Sequence, residues 1–189
     1  IIEYTLDNIK KMNFDSIFVT TKYQYSKVKN FISVYSKRKK VLIKEIREKK
    51  FLGTAGCLKK IKERTSKKII LINGDLITNL SYDDLLNHHE LYKNDITICS
   101  KEDIFKVPYG LLKKNKNNSF FIEEKPNFIL RFNIGIYVIN SNVINLIKAN
   151  SYIDMPNFIN LAQKKRYKIG QYNVLEKIKH FTIPEDLKQ

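Results

Sequence analysis

Cysteine is scarce in this sequence, where Cys57 and Cys99 are the only two. Neither has a second cysteine at metal-ligand spacing, so the sequence indicates no cysteine-based metal site. We expect two buried, reduced thiols, which are typical of a cytoplasmic protein. The first residues show no basic segment followed by an apolar stretch, and no signal peptide is predicted.

Long apolar runs and flexible linkers are also lacking. No run approaches the roughly 20 apolar residues of a membrane-spanning helix, so no membrane partner is expected. Hydrophobic residues still make up 43% of the 189 residues, which is enough for a core and argues against disorder. The sequence has no Gly/Ser linker, internal repeat or low-complexity tail, so we predict that residues 1–189 form one domain.

Acidic residues are few: 19 Asp and Glu stand against 35 Lys and Arg, a formal charge of +16. A nucleic-acid interface would need these cations clustered on one face. They are instead spread along the chain, and the densest run, residues 37–40, is predicted to be a loop. We therefore expect no nucleic-acid partner, but a positive field that attracts nucleotides and sugar phosphates.

Apolar periodicity alternates between helical and strand spacing through the first half of the chain. This alternation, followed by a cluster of short strands, predicts an α/β fold: a Rossmann-like, mixed and mainly parallel sheet flanked by helices. The apolar run Lys68–Ile72 is expected to be a central parallel strand covered on both faces. Predicted helices cover residues 2–12, 22–32, 53–64, 81–92, 141–149 and 156–165, and predicted strands cover 16–20, 41–46, 68–72, 95–100, 109–112, 119–123, 132–138 and 167–172.

An aspartate follows the strongest of these strand patterns. In open α/β sheets ligands bind beyond the carboxyl ends of the strands. Asp75 stands there, and Gly74 before it would let the backbone turn sharply so that the carboxylate projects over the sheet edge. Such an oxygen ligand suits Mg²⁺ bridging phosphates. The alternative is an aspartate that merely caps the next turn.

Small residues open the helix predicted from Gly53. Thr54 is a plausible N-cap, and free N–H groups at a helix start suit phosphates or base edges. The alternative is close packing of the helix on a strand. Three later turns, at residues 108–110, 124–126 and 133–135, follow the same pattern of polar and small residues after strands. Glu124 offers an acceptor for sugar hydroxyls and Lys125 a cation for a phosphate, although each could be only a turn or a solvated charge.

Taken in order, these elements resemble those of the sugar-1-phosphate nucleotidylyltransferases. The resemblance covers essentially the whole chain and carries site roles with it. It implies that Leu52, Gly53 and Thr54 hold the nucleotide base, that Asp75 binds Mg²⁺, and that Gly110, Glu124, Lys125 and Asn133 contact the sugar and its phosphate. Asp75 and Lys125 are the implied catalytic residues. Asp154-Met155-Pro156 is similar to a segment of the guanylyltransferase-like branch, which favours GTP.

The sequence departs from the family pattern in two places. The family begins with a strand and a Gly-rich loop carrying Arg and Lys around the triphosphate, and neither is present here. Without that strand a parallel sheet would have a central gap with unpaired N–H and C=O groups, so we expect the strand and loop to belong to a longer polypeptide. In addition, His180 stands where the second metal-binding aspartate is expected. Imidazole is a poorer ligand for Mg²⁺ than carboxylate is, so His180 could bind a softer metal such as Mn²⁺ or no metal at all.

Two functions remain open from the sequence. The first is transfer of a nucleotidyl group from a nucleoside triphosphate to a sugar 1-phosphate, giving a nucleotide-sugar and pyrophosphate. The second is a catalytically degenerate regulatory module that binds a nucleotide-sugar without turning it over. This would explain both departures from the family pattern. Assembly into a homo-oligomer is left open.

Overall fold

A computed structural model describes residues 1–12, 14–62 and 68–180 of the chain, and of His180 only the backbone. Two sequence predictions lie outside this part. They are the continuation of the Gly53 helix to Arg64 and the segment that follows His180, including Pro184-Glu185-Asp186.

Helices and strands alternate through the first half of the chain, and strands dominate the middle. The helices are α1 (Ile2–Ile9), α2 (Tyr25–Lys39), α3 (Gly53–Gly56), α4 (Leu58–Lys62), α5 (Tyr82–Leu91) and α6 (Met155–Lys164), with a 3₁₀ helix at Val143–Leu146. The strands are β1 (Ile17–Thr21), β2 (Ile43–Arg47), β3 (Ile69–Ile72), β4 (Leu76–Thr78), β5 (Ile96–Lys106), β6 (Leu111–Lys114), β7 (Phe120–Glu123), β8 (Asn127–Ile139), β9 (Ile169–Asn173) and β10 (Ile178–His180). This mixed α/β architecture confirms the predicted fold class.

The largest sheet has four strands in the order β3-β8-β5-β9. β8 is antiparallel to β3 and β5, whereas β5 and β9 run parallel. The second half of β8, from Ile134 to Ile139, is buried throughout because helices and loops pack on both faces of the sheet. Among the described strands, β3 therefore lies at the edge of this sheet beside an antiparallel neighbour, which differs from the central parallel setting expected for Lys68–Ile72.

β1 and β2 form a separate parallel pair. Within the described residues, neither β1 nor β3 has a strand paired to its second edge. The two strands instead line one cleft of about 1450 Å³, together with apolar side chains of α1.

The ends of β5 and β8 extend away from the core as an exposed arm. There β5 and β8 pair from Ser100–Asn133 to Lys106–Asn127, and the hairpin β6–β7 joins them. The arm is built from short-range antiparallel pairs, which is why its connections are short. It carries the turns that contain Gly110 and Glu124.

Some local predictions from the sequence are confirmed and others are wrong. Ser81 caps α5 by accepting a hydrogen bond from the Asp84 N–H, at the start of the helix predicted over residues 81–92. The basic run 37–40 is not a loop, because Lys37, Arg38 and Lys39 form the last turn of α2, where the helix dipole stabilises cations.

Both cysteines are buried and free. Among the described helices, none has the length and apolar character needed to cross a membrane.

His89 is the centre of a buried polar network that joins α5 to the sheet. Its side chain is 1% exposed, with Nδ1 2.8 Å from the Thr97 hydroxyl and Nε2 3.1 Å from Asn140 Oδ1. Because the Asn140 amide donates through Nδ2 to the Asn94 carbonyl, its Oδ1 must accept from His89. The neutral imidazole therefore carries its proton on Nε2 and accepts the Thr97 hydroxyl at Nδ1.

This network predicts a pH dependence of stability. Burial lowers the pKa of His89 from about 6.5, so the unfolded chain takes up a proton that the folded chain excludes. The unfolding free energy therefore has its full value well above pH 6.5, and it decreases as the pH falls below 6.5 because the unfolded chain binds the extra proton. We expect His89→Phe to lose about 1–3 kcal/mol of unfolding free energy at pH 7.5, because Thr97 and Asn140 lose their partner.

Urea unfolding between pH 7.5 and 5.5 measures both effects. His89→Phe should flatten the pH dependence, whereas His88→Phe, at the neighbouring and less buried histidine, should retain the His89 contribution. An unchanged slope in His89→Phe would contradict the prediction.

Candidate active site

The cleft between β1 and β3 runs along both strands and includes residues at their carboxyl ends. We call these residues its rim: Thr20, Thr21 and Lys22 at the end of β1, Gly53 and Thr54 in α3 after β2, and Asn73 and Gly74 after β3. Three consecutive strands thus end at one concave surface, the usual position of a ligand site in an α/β fold. Four predicted site positions lie at or beside this rim: Gly53, Thr54, Asp75 and, through its neighbour Gly53, Leu52.

The segment Leu52–Thr54 is held by the segment before α6. The Ile153 N–H donates to the Leu52 carbonyl at 2.9 Å, and the Ala55 N–H donates to the Ile153 carbonyl at 3.0 Å. The Thr54 N–H donates to Asp154 Oδ1 at 3.1 Å. We expected free N–H groups at this helix start, and that expectation is wrong for Thr54 and Ala55.

Two further details of this loop differ from the prediction. Leu52, and not Thr54, is the N-cap of α3; the Thr54 hydroxyl instead accepts the Met155 N–H at 2.8 Å, at the start of α6. The Leu52 side chain is 3% exposed, so it packs in the core. Any ligand would therefore meet the exposed side chain of Thr54 and the backbone of Gly53.

Asp154, which lies directly before α6, holds the Gly53–Thr54 loop in place. The Tyr152 hydroxyl donates to its Oδ2 at 2.5 Å, and with the Thr54 N–H it lowers the pKa of the Asp154 carboxyl, because both donors favour the charged form. Asp154 precedes a proline-containing first turn of α6, a pattern that indicates an ordinary helix cap. The sequence therefore offered no reason to connect it to Thr54, 100 residues away.

Replacing Asp154 by alanine should loosen the Gly53–Thr54 loop. The Thr54 N–H loses its acceptor, so its hydrogen exchange should accelerate toward that of an open amide. Amide exchange read by mass spectrometry or NMR checks this, with Asp83→Ala, an exposed aspartate in the first turn of α5, as the matched control. Equal protection of Thr54 in both variants would contradict the anchoring role.

The turn Asn73–Asp75 is held in place by Gly135 of β8. The Asn73 N–H donates to the Gly135 carbonyl at 2.9 Å, and Gly135 has φ +78° with the Asn73 side chain packed against its Cα. Gly74, in contrast, has no atom within 4 Å of the place where a Cβ would stand. A sharp glycine-dependent turn is therefore required at Gly135 and not at Gly74. Asp75 follows with an exposed side chain.

The backbone of His180 reaches the same turn. β10 pairs antiparallel with β4, and its register sets His180 opposite Leu76, the residue after Asp75. Among the side chains that the structure describes, which exclude that of His180, no three His, Cys, Asp or Glu form a group that could hold a metal ion.

Gly110, Glu124 and Lys125 come together on the arm. A Cβ at Gly110 would lie 2.9 Å from Glu124 Oε2, so this glycine allows close approach of the two turns. The Lys125 ammonium is 4.0 Å from Glu124 Oε1, and both side chains are largely exposed. Such a loose, solvated pair contributes little to stability and leaves both groups available to a ligand.

Asn133 lies between the arm and the cleft. Its Nδ2 donates to the Tyr137 hydroxyl at 2.6 Å and its Oδ1 accepts the Gly135 N–H at 3.1 Å. It stands beside the irregularity in the β5–β8 pairing, opposite Ser100. The predicted site residues therefore form two groups, one at the cleft and one on the arm, with Asn133 on the strand that connects them.

Helices packed on a mixed sheet, with polar turns where its strands end, define the class: a mixed α/β protein. The chain belongs to the Nucleotidyl transferase family, whose pattern it matches over residues 1–174. The resemblance seen in the sequence is thereby confirmed.

Individual relatives support this assignment. The chain is 30% identical over 176 residues to the mannose-1-phosphate guanyltransferase of Pichia angusta, covering 88% of this chain and 48% of the relative. It is 28% identical over 156 residues to the mannose-1-phosphate guanylyltransferase regulatory subunit alpha of Dictyostelium discoideum, covering 77% and 38%. The chain thus spans less than half the length of these two relatives.

A solved structure shares the fold. The crystal structure of HddC from Yersinia pseudotuberculosis complexed with GMP-PN superposes with a TM-score of 0.69 at 20% sequence identity, covering 98% of this chain and 80% of that one.

Proposed function

We propose that this chain transfers a nucleotidyl group from a nucleoside triphosphate, with GTP favoured, to a sugar 1-phosphate. The observation that carries the proposal is the shared cleft rim, where the Gly53–Thr54 loop and the Asn73–Asp75 turn meet at adjacent strand ends. The guanyltransferase relative supports the reaction class and the choice of GTP.

The base would lie against the Gly53–Thr54 loop. Gly53 is largely buried and lines the cleft with its backbone, and the Ile153 carbonyl fills the place of the missing side chain, which fixes the loop. Because the Thr54 and Ala55 N–H groups are already bonded, they would not hold phosphate. The triphosphate would instead extend along the rim toward Asn73–Asp75, attracted by the positive field of a chain with net charge +16.

Asp75 would hold a divalent cation, Mg²⁺ in the first instance. The donor set fits: Mg²⁺ keeps several waters and is commonly bound by one or two carboxylates together with substrate phosphates. His180, whose backbone lies opposite Leu76, would add a nitrogen ligand that suits Mn²⁺ better. When bound, the cation would neutralise charge on the phosphates.

The sugar 1-phosphate would bind at the arm. Glu124 would accept hydrogen bonds from sugar hydroxyls, Gly110 would allow the sugar to approach the backbone, and Asn133 would contact a further hydroxyl. Lys125 would pair with the sugar phosphate. The 4.0 Å separation of Lys125 from Glu124 leaves the ammonium free for this task.

The reaction needs no covalent enzyme intermediate. An oxygen of the sugar phosphate attacks the α-phosphorus in line, the bond to the β-phosphate oxygen breaks, and pyrophosphate leaves with that electron pair. The chain contributes positioning and charge neutralisation.

Pyrophosphate release tests the proposal. GTP, ATP, UTP and dTTP are each combined with mannose 1-phosphate or glucose 1-phosphate, and nucleotide-sugar is identified by mass spectrometry. We expect release only when both substrates are present, and fastest with GTP. Release that does not depend on the sugar 1-phosphate would contradict the assignment.

A regulatory module is the second candidate, favoured by the relative named as a regulatory subunit and by His180 in place of a carboxylate. It predicts that the chain binds a nucleotide-sugar and releases no pyrophosphate with any substrate pair. Calorimetric binding of GDP-mannose beside the release assay separates the two candidates.

A further inference from the structure

Two exposed aromatic rings stand beside the Gly53–Thr54 loop. Phe51 is 59% exposed and Tyr152 is 57% exposed, and their ring centroids are 5.6 Å apart. Phe51 also lines the cleft next to Gly53 and Thr54. Aromatic rings exposed at the edge of a cleft are available to contact a ligand bound there.

The two rings are carried by segments that are bonded to each other. The Ile153 N–H donates to the Leu52 carbonyl, so the residues just before each of these positions, Tyr152 and Phe51, are held side by side. The Tyr152 hydroxyl is in addition fixed by Asp154, the acceptor of the Thr54 N–H. Phe51 therefore has a supported position, and ordering its ring on binding costs little conformational entropy.

A cation accompanies the pair. The Lys22 ammonium lies 5.9 Å from the centroid of the Phe51 ring, within the range of a cation–π contact, and Lys22 lines the same cleft. An exposed aromatic ring with a cation over it matches a ligand that has both a flat ring and an anionic group. A nucleoside triphosphate has both.

We propose that Phe51 stacks on the nucleobase in this cleft, with Tyr152 packed beside it and Lys22 near the phosphates. This inference rests on the proposed function, since it assumes a nucleotide in the cleft. Every base has a π face, so stacking adds affinity without selecting the base. Phe51 would thus strengthen binding of all nucleoside triphosphates, while other groups set the preference for GTP.

Calorimetry with three probes tests the inference: GTP, ATP and inorganic tripolyphosphate. Phe51→Ala should weaken binding of GTP and ATP by similar factors, about 5- to 100-fold, and leave tripolyphosphate binding unchanged. Phe51→Tyr retains an aromatic face and should restore most of the affinity. Phe120→Ala, which removes a 64% exposed ring on β7, is the matched control and should bind like the unaltered chain.

The outcomes distinguish failure of the stacking role of Phe51 from failure of the proposed function. GTP binding that is equal in Phe51→Ala and the unaltered chain would overturn stacking and leave the proposed function standing. Weakened tripolyphosphate binding in Phe51→Ala would also overturn it, because the effect would not belong to the base. An unaltered chain that binds neither nucleotide would overturn the proposed function, and the stacking role with it.

Discussion

Replacing Gly53 by alanine should lower the free energy of unfolding by about 3 kcal/mol, the sum of a left-handed backbone cost and overpacking. Gly53 has φ +75°, and a Cβ there would lie 2.5 Å from the Ile153 carbonyl oxygen. That oxygen is backbone, so it cannot swing aside as a side chain would. To relieve the clash, the Ile153 segment must move and break its hydrogen bonds to Leu52 and Ala55.

Gly74→Ala is the matched control. No atom lies within 4 Å of its Cβ position and its φ is not in the left-handed region, so we expect a change within about 1 kcal/mol, toward stabilisation if any. Urea unfolding monitored by circular dichroism, with the slope held common, measures both variants. Equal stability of the two would show that Gly53 is not packed as described.

Removal of the Asp75 carboxylate should have the largest effect on activity. If Asp75 holds the cation at the phosphates, Asp75→Ala should reduce pyrophosphate release by at least about 100-fold, as losing one preorganised charge-stabilising group typically does. The side chain is exposed, so the unfolding free energy should hardly change. Asp83→Ala, at another exposed aspartate, should retain full activity.

A second measurement assigns the cause. Binding of Mn²⁺ in the presence of GTP, followed by electron paramagnetic resonance, should weaken in Asp75→Ala and not in Asp83→Ala. Turnover and Mn²⁺ binding unchanged in Asp75→Ala would exclude this carboxylate as the metal ligand.

Much of the fold could be predicted because it rests on local patterns. The apolar run before Asn73 is β3, and the acidic turn after Ser81 begins α5. Pairing could not be predicted in the same way, because β3 lies antiparallel to β8, whose paired residues are 64 to 70 positions further along the chain. An apolar run shows that a strand is buried, but the direction of its neighbour depends on the path of the intervening chain.

The candidate site shows the same division. Its residue types at Gly53–Thr54, Asn73–Asp75, Glu124–Lys125 and Asn133 were recognisable in the sequence, and their roles remain predictions. The brace from Asp154 to Thr54 and the ring pair of Phe51 and Tyr152 were not recognisable, because each joins residues about 100 positions apart. The metal role of His180 likewise stays a prediction.

The sequence by itself determined the α/β class, the family and the chemical character of the rim, because strand periodicity and turn residues act over a few positions. Only the tertiary structure decided which groups at the rim are available. The Thr54 and Ala55 N–H groups, open by local reasoning, are bonded to Asp154 and Ile153. Gly135 is required by its conformation, whereas Gly74 is not. These properties depend on what packs against each residue, and that neighbour comes from a distant part of the chain.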